Sequence, residues 1–224
     1  MRALILAGGR GKRFGNLTLK LPKPLIRVGG KPLIKYTLDV LPPQIDSCVI
    51  VLGYLGEKIT QELGNAYGRL KIEYVQQKMT GTGGALLSAR TPLIGEKQFL
   101  VVGSNDIFGP NELQKLIGDS ASYGIHYGVP SSASSSGVLF DQNEMLVGFR
   151  VDCGTGGARY FGVGAYVFSS AVFDASMHML PNGERSLPHS LPRMPFPVRV
   201  RRIDNWPPVN NQKELERAEN HVCT

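Results

Sequence analysis

"LILAGGRGKRFG", residues 4–15, is the stretch on which the reading of the fold turns. Leu4, Ile5, Leu6 and Ala7 are a continuous apolar run of the kind a strand shows when both its faces are covered. Gly8, Gly9 and Gly11 then leave a backbone with few side chains, free to take positive φ and to come close to a ligand. Lys12 and Arg13 add positive charge to that bare backbone. A strand that ends in such a loop predicts an anion site, most simply a phosphate chain held by peptide N–H groups and a helix N-terminus. Two familiar phosphate loops do not fit. The dinucleotide frame that starts at Gly9 and Gly11 puts Phe14 where its third small residue belongs. The P-loop frame puts Leu6 at its first glycine and Arg13 at its final Ser or Thr.

Outward from this loop, strand and helix patterns alternate. "GGKPLIKYTLDVL" sets Pro32 at a helix start and brings Ile34, Leu38 and Leu41 onto one face. "CVIVLGY" reads as a short buried strand, "EKITQEL" as a helix, and "LKIEYVQQ" as a strand ending in two amides. "GTGGALLSAR" reads as a glycine turn entering a helix, and "FLVVGSND" as a strand ending on a carboxylate. This alternation predicts a sheet with a parallel part, helices on both faces, and a ligand at the carboxyl ends of the strands. The stretch 125–150 alternates apolar and polar residues around turn residues and predicts an antiparallel insertion. "ARYFGVGAYVFS" and "PVRVRRI" read as later strands, "VFDASMHML" as a helix, and "NQKELERAENHV" as an exposed terminal helix. The Ser-rich residues 131–136 read either as a plain loop or as a lid over the sheet.

Composition narrows the function classes. The chain of 224 residues, 42% hydrophobic and 19% charged, has the make-up of a globular protein, and residues 1–224 are expected to form a single domain. Its net charge of +7 is scattered, with one dense patch at Arg199, Arg201 and Arg202, so small polyanionic substrates are favoured over nucleic acid. Cys48, Cys153 and Cys223 are far apart and lack metal-ligand spacing. No apolar run approaches the roughly 20 residues of a membrane span, and no basic leader opens the chain; a reduced, cytoplasmic protein is expected.

"LAGGRGKRF", "LTLKLPKPLIRVGGKPLI" and "TGTGGAL" stand in the order, and at about the spacing, of the sugar-phosphate nucleotidyltransferase family, which the chain resembles over nearly its whole length. The resemblance implies a Rossmann-like, GT-A-like mixed sheet. It also implies an enzyme that joins a nucleoside triphosphate and a sugar 1-phosphate into a nucleotide sugar plus pyrophosphate, with Mg²⁺ as cofactor. Leu6, Ala7, Gly8, Gly9, Gly11 and Arg13 would hold the nucleotide. Arg13 can offer a planar fork of donors to the leaving phosphates, and Lys23, stiffened between two prolines, can meet the α-phosphate or the sugar phosphate. The plain alternative for each cation, Arg10 and Lys12 above all, is a solvated surface position.

Asp106, at the end of its strand, reads as a turn cap or as a magnesium ligand. By analogy with the family its partner would be Asn210, ahead of Asn211. Gln76, Gly81 and Thr82 read as base readers, since a side-chain amide complements the imide edge of uracil or thymine; UTP or dTTP is expected to be favoured. Their plain reading is a polar strand end and a turn. On the sugar side, Gly164 matches the last residue of the family's N-A-G element, but Gly162 and Val163 stand where its Asn and Ala belong. The family's E-K-P element is absent from "VGFRVDCGTGGA", and Pro208 replaces an aspartate before the metal position. Either the sugar is recognised elsewhere, for instance by "DCGTGGAR", or the chain has drifted from catalysis. A guanylyl- or cytidylyltransferase and a non-catalytic nucleotide-binding module are the other readings, and the oligomeric state is left open.

Overall fold

β1 (Arg2–Ala7) has parallel neighbours on both edges, with Leu4 opposite Val49 of one and Val101 of the other. A strand so placed has no face toward water, which is why Ala3 to Ala7 are apolar without alternation. The fold is described from a computed structural model, for residues 1–129, 136–150 and 159–222. After β1 come α1 (Leu33–Asp39), β2 (Ser47–Leu52), α2 (Gly56–Leu63), β3 (Leu70–Gln76), α3 (Gly81–Ser88) and β4 (Phe99–Gly103). β5 (Ala121–Gly128), β6 (Gly137–Phe140), β7 (Leu146–Arg150), β8 (Arg159–Phe168), β9 (Val198–Arg202) and α4 (Gln212–Val222) follow, with shorter turns and ribbons between.

The main sheet has eight strands in the order β9, β5, β8, β4, β1, β2, β3 and the two-residue edge strand Ala66–Tyr67. Strands β4, β1, β2 and β3 are parallel, β8 runs antiparallel to both β4 and β5, and β9 is parallel to β5. The sheet is therefore mixed, as expected. β6 and β7 form the antiparallel insertion, which is stitched to the sheet edge by the Met145–Arg199 bridge.

Side-chain alternation splits the core. Ala3, Ile5, Ile50 and Val102 face α1 and α2, meeting Ile34, Leu38, Ile59 and Leu63. Leu4, Val49, Phe99 and Val101 face α3, meeting Ala85 and Leu86. Ile34, Leu38 and Leu41 are buried together, as their spacing predicts.

Two expectations are corrected. Residues 172–180 are not a helix: a 3-10 turn, Ser170–Asp174, gives way to a small ribbon in which His178–Met179 pairs with Arg185–Ser186. The turn at Asn182 and Gly183 closes that ribbon, with Gly183 at φ 82° and its N–H donating to Leu180 O at 2.9 Å, so turn chemistry overrides the helical spacing. The terminal helix is also less exposed than expected. Leu215 and Ala218 are buried against Phe14, Val28, Leu33 and Val209, because a two-residue apolar stripe is enough to dock one face.

Phe99 is fully buried and stacks on Phe173 with ring centroids 5.6 Å apart. Phe99→Ala is expected to destabilise the protein by about 3–5 kcal/mol, the usual range for emptying such a position, as read by urea unfolding.

Candidate active site

The carboxyl ends of β1, β3 and β4 open onto one cleft of about 1660 Å³. β1 runs directly into the glycine loop, which passes so close to the end of β2 that a Cβ on Gly53 would meet the Gly8 carbonyl and Cα, and one on Gly8 would meet Oε1 of Gln77. Glycine at position 53 is thus a matter of space, since the neighbour there is fixed backbone. Leu6, Ala7, Gly8, Gly9, Gly11 and Arg13 all line the cleft. Arg10 also reaches it but lies over the Tyr54 ring at 5.4 Å. Lys78, Arg185 and Arg217 add further positive charge at the rim.

The floor is more strongly determined. Pro22 and Pro24 frame a tight 3-10 turn, Lys23–Leu25, in which Pro24 and Leu25 are buried, so the Lys23 stem leaves the chain in a fixed direction. Its Nζ donates to Asn210 Oδ1 at 3.2 Å and sits 5.3 Å from the Phe14 ring centroid. Asp106, only 6% exposed, accepts a hydrogen bond from Trp206 Nε1 at 3.2 Å, and its backbone forms a bridge with Pro208. Thr37 of α1 donates to the Asp106 carbonyl at 3.1 Å. Burial raises the Asp106 carboxyl to about 6, against the pull of Lys23 and the Trp206 hydrogen bond; Glu214 raises it further. Burial likewise lowers Lys23 to about 8, partly offset by Asp106. Each group in its charged form is therefore held at a cost that an added charge partner would relieve.

Of the residues given a site role from the sequence, all line this cleft except Gln76 and the alternative Asn211. Gln76 is the last residue of β3 and is exposed outside it, and Gln77 reaches in instead. The period of two explains the slip: adjacent strand residues face opposite ways, and a Gln-Gln pair does not say which one faces the site. The Gln77 Nε2 is committed to the carbonyls of Met79 at 2.6 Å and Gly81 at 3.2 Å. Thr82 lines the cleft while its Oγ1 accepts the Leu187 N–H at 3.0 Å, so the stretch 184–188 packs across the start of α3.

Glu214 and Trp206 were missed by sequence reasoning. The Asn211-x-x-Glu214 spacing of a capping box was the available signal for Glu214, and Trp206 carried none. On the sugar side, Gly164 lines the cleft at φ 70°, within the register break of β8. A Cβ on Gly162 would collide with the Tyr123 hydroxyl, so the family's asparagine has no room there. Residues 152–158 of "DCGTGGAR" and residues 131–135 of the Ser-rich stretch lie outside the described residues.

The sequence profile described as "Nucleotidyl transferase" matches residues 2–137. The chain belongs to the nucleotidyl transferase family. Within it, the chain is 36% identical over 117 residues to the bifunctional protein GlmU of Methanococcus vannielii, covering 52% of this chain and 27% of that one. It is also 36% identical over 105 residues to the D-glycero-alpha-D-manno-heptose 1-phosphate guanylyltransferase of Aneurinibacillus thermoaerophilus, covering 46% of each. The chain spans about a quarter to a half of the length of the GlmU relatives it matches. Among solved structures it is similar to apo UDP-glucose pyrophosphorylase, with TM-score 0.84, 17% identity and coverage of 100% of this chain and 98% of that one, a likeness of fold. No helix of the described residues is long and apolar enough to cross a membrane.

The half-buried Lys23 should titrate apart from the other lysines of the protein. Side-chain NMR is expected to give it a midpoint near 8, and Asp106→Asn should lower that midpoint further, because Asp106 supports the ammonium form. An upward shift would contradict the arrangement described.

Proposed function

We propose that this member of the family transfers a nucleotidyl group from a nucleoside triphosphate to a sugar 1-phosphate. The observation that supports it best is the meeting of Lys23, Asp106 and Asn210 on one floor beside the glycine loop and Arg13. The reaction needs little covalent chemistry from a protein. An oxygen of the sugar phosphate attacks the α-phosphorus in line, the new O–P bond forms as the bond to the β-phosphate oxygen breaks, and pyrophosphate leaves. Catalysis is then positioning and charge neutralisation. In this reading the peptide N–H groups of the glycine loop cradle the triphosphate, Arg13 meets the leaving phosphates, and Lys23 meets the phosphates at the bond being exchanged.

The oxygens of Asp106 and Asn210 suit a hard divalent cation such as Mg²⁺, which when bound would offset the phosphate charge. The expectation of UTP or dTTP rested on Gln76. With that side chain outside the cleft, and the Gln77 Nε2 committed to backbone carbonyls, the proposal is nucleotidyl transfer without a named base. The acceptor end is walled by His126, Phe161 and Trp206, with ring centroids of the latter two 5.9 Å apart, a surface against which a sugar ring can stack.

A pyrophosphate-release screen of ATP, GTP, CTP, UTP and dTTP against a panel of sugar 1-phosphates is expected to find turnover. Arg13→Ala should lower it by about a hundredfold or more, as when one preorganised charge partner of a reacting group is removed. Silence across the panel from folded protein that still binds nucleotide would instead favour a binding module.

The two floor groups also set a pH profile. Lys23 is needed as the ammonium, so kcat/KM should fall above about 8, while a cation held by Asp106 would carry the acid limb below about 6. Lys23→Arg, whose guanidinium does not titrate in this range, should remove the alkaline limb even as it lowers the maximum.

A further inference from the structure

Glu214 is 4% exposed, lines the cleft, and belongs to none of the roles above. Its Oε2 accepts the Asn210 N–H at 2.6 Å, and its own N–H donates to Asn211 Oδ1 at 3.0 Å, which together close the first turn of α4 like a capping box. A cap of this kind needs one acceptor oxygen, and a neutral glutamine would supply it. The second oxygen, Oε1, is buried with no hydrogen-bond partner. An ionised oxygen shut away from water without a donor is strongly unfavourable unless a ligand completes it.

The charges around it point to the kind of ligand. Asp106 and Glu214 are both buried carboxylates and act on each other through space. Lys23 is the cation of the floor, and its Nζ donates to Asn210 and not to Glu214. Arg13 and Arg217 face the same cleft from exposed positions at its rim. With all three floor groups charged, two carboxylates stand against one ammonium beneath a loop shaped for phosphates. A negative floor under a polyanion repels it, unless a cation lies between them.

We infer that Glu214 is a positioning residue for a divalent cation: with Oε2 fixed on the Asn210 N–H, the carboxylate holds Asn210 in place and adds its buried negative charge beside the cation that Asp106 and Asn210 would hold. The inference rests on the reading of the cleft as a nucleotidyl-transfer site and adds to it a residue that reading does not use. Glu214 thereby supplies the negative charge that an asparagine at 210 cannot, while the same side chain holds Asn210 in place.

The test is a Mn²⁺ titration of the intact protein without nucleotide, read by the electron paramagnetic resonance of the free ion, alongside thermal melting. Wild type is expected to bind Mn²⁺. Glu214→Gln, which keeps the shape and the acceptor for Asn210, should bind at least about tenfold more weakly at a nearly unchanged Tm, the loss typical of removing a partner in the outer shell of a metal. Asn211→Ala, which removes the other half of the cap and leaves the charge, should lower Tm and keep the Mn²⁺ affinity. Equal binding by wild type and Glu214→Gln would overturn the inference. So would an Asn211→Ala loss as large as that of Glu214→Gln, which makes Glu214 a helix cap and nothing more, or a Glu214→Gln protein that does not fold, which makes its charge a requirement of the fold. Wild type that binds no Mn²⁺ yet releases pyrophosphate would end this inference and leave nucleotidyl transfer standing, whereas failure of both would end both.

Discussion

The hydrogen bond from Lys23 Nζ to Asn210 Oδ1, made across 187 positions of chain and within the field of Asp106, is the contact on which the site depends. It joins a proline-stiffened turn near the start of the chain to the segment that leads into the last helix. The same few residues are fixed from other sides. Trp206 holds the Asp106 carboxylate, Pro208 bridges its backbone, and Glu214 holds the backbone of Asn210. Loosening any one of these would let the ammonium and the carboxylate drift apart or take up water.

Such a group is expensive to assemble. Burial disfavours the charged forms of both Lys23 and Asp106, and the free oxygen of Glu214 adds to the cost. The sheet can support this because its centre is conventional. β1 is covered on both faces by apolar side chains from helices on either side, and the parallel strands around it all end at the same edge. A rigid, dry core thus delivers several unrelated loops to one place, with their polar groups already aimed before any substrate arrives. Preorganisation of this kind is what electrostatic catalysis requires.

The same geometry explains where the chain departs from the pattern it resembles. Gly162 is a glycine because the Tyr123 hydroxyl occupies the volume that a side chain would need, and Tyr123 in turn stacks on Tyr166 at 5.0 Å. That end of the cleft is consequently built from aromatic faces in place of an asparagine. The departure is a coupled packing change across two neighbouring strands, visible only once Tyr123 and Gly162 are brought side by side.

The apolar run 3–7, the glycines behind it and the alternation of strand and helix periods were local signals, and local signals determined the mixed α/β sheet and the glycine loop at the end of its first strand, with Arg13 and Lys23 close behind. Asp106 was also legible as a carboxylate at a strand end, whereas Asn210 was reached only through the resemblance to the family; both line the cleft. What the sequence by itself left undecided were matters of facing and partnership. It could not say which glutamine of a pair enters the cleft, since one step along a strand reverses the side chain. Nor could it say that residues 178–186 pair as a ribbon, or that a glutamate four residues past Asn210 keeps a second oxygen buried without a partner. Those outcomes depend on side chains far apart in the chain competing for the same space and the same hydrogen bonds, and only the tertiary structure decides such competition.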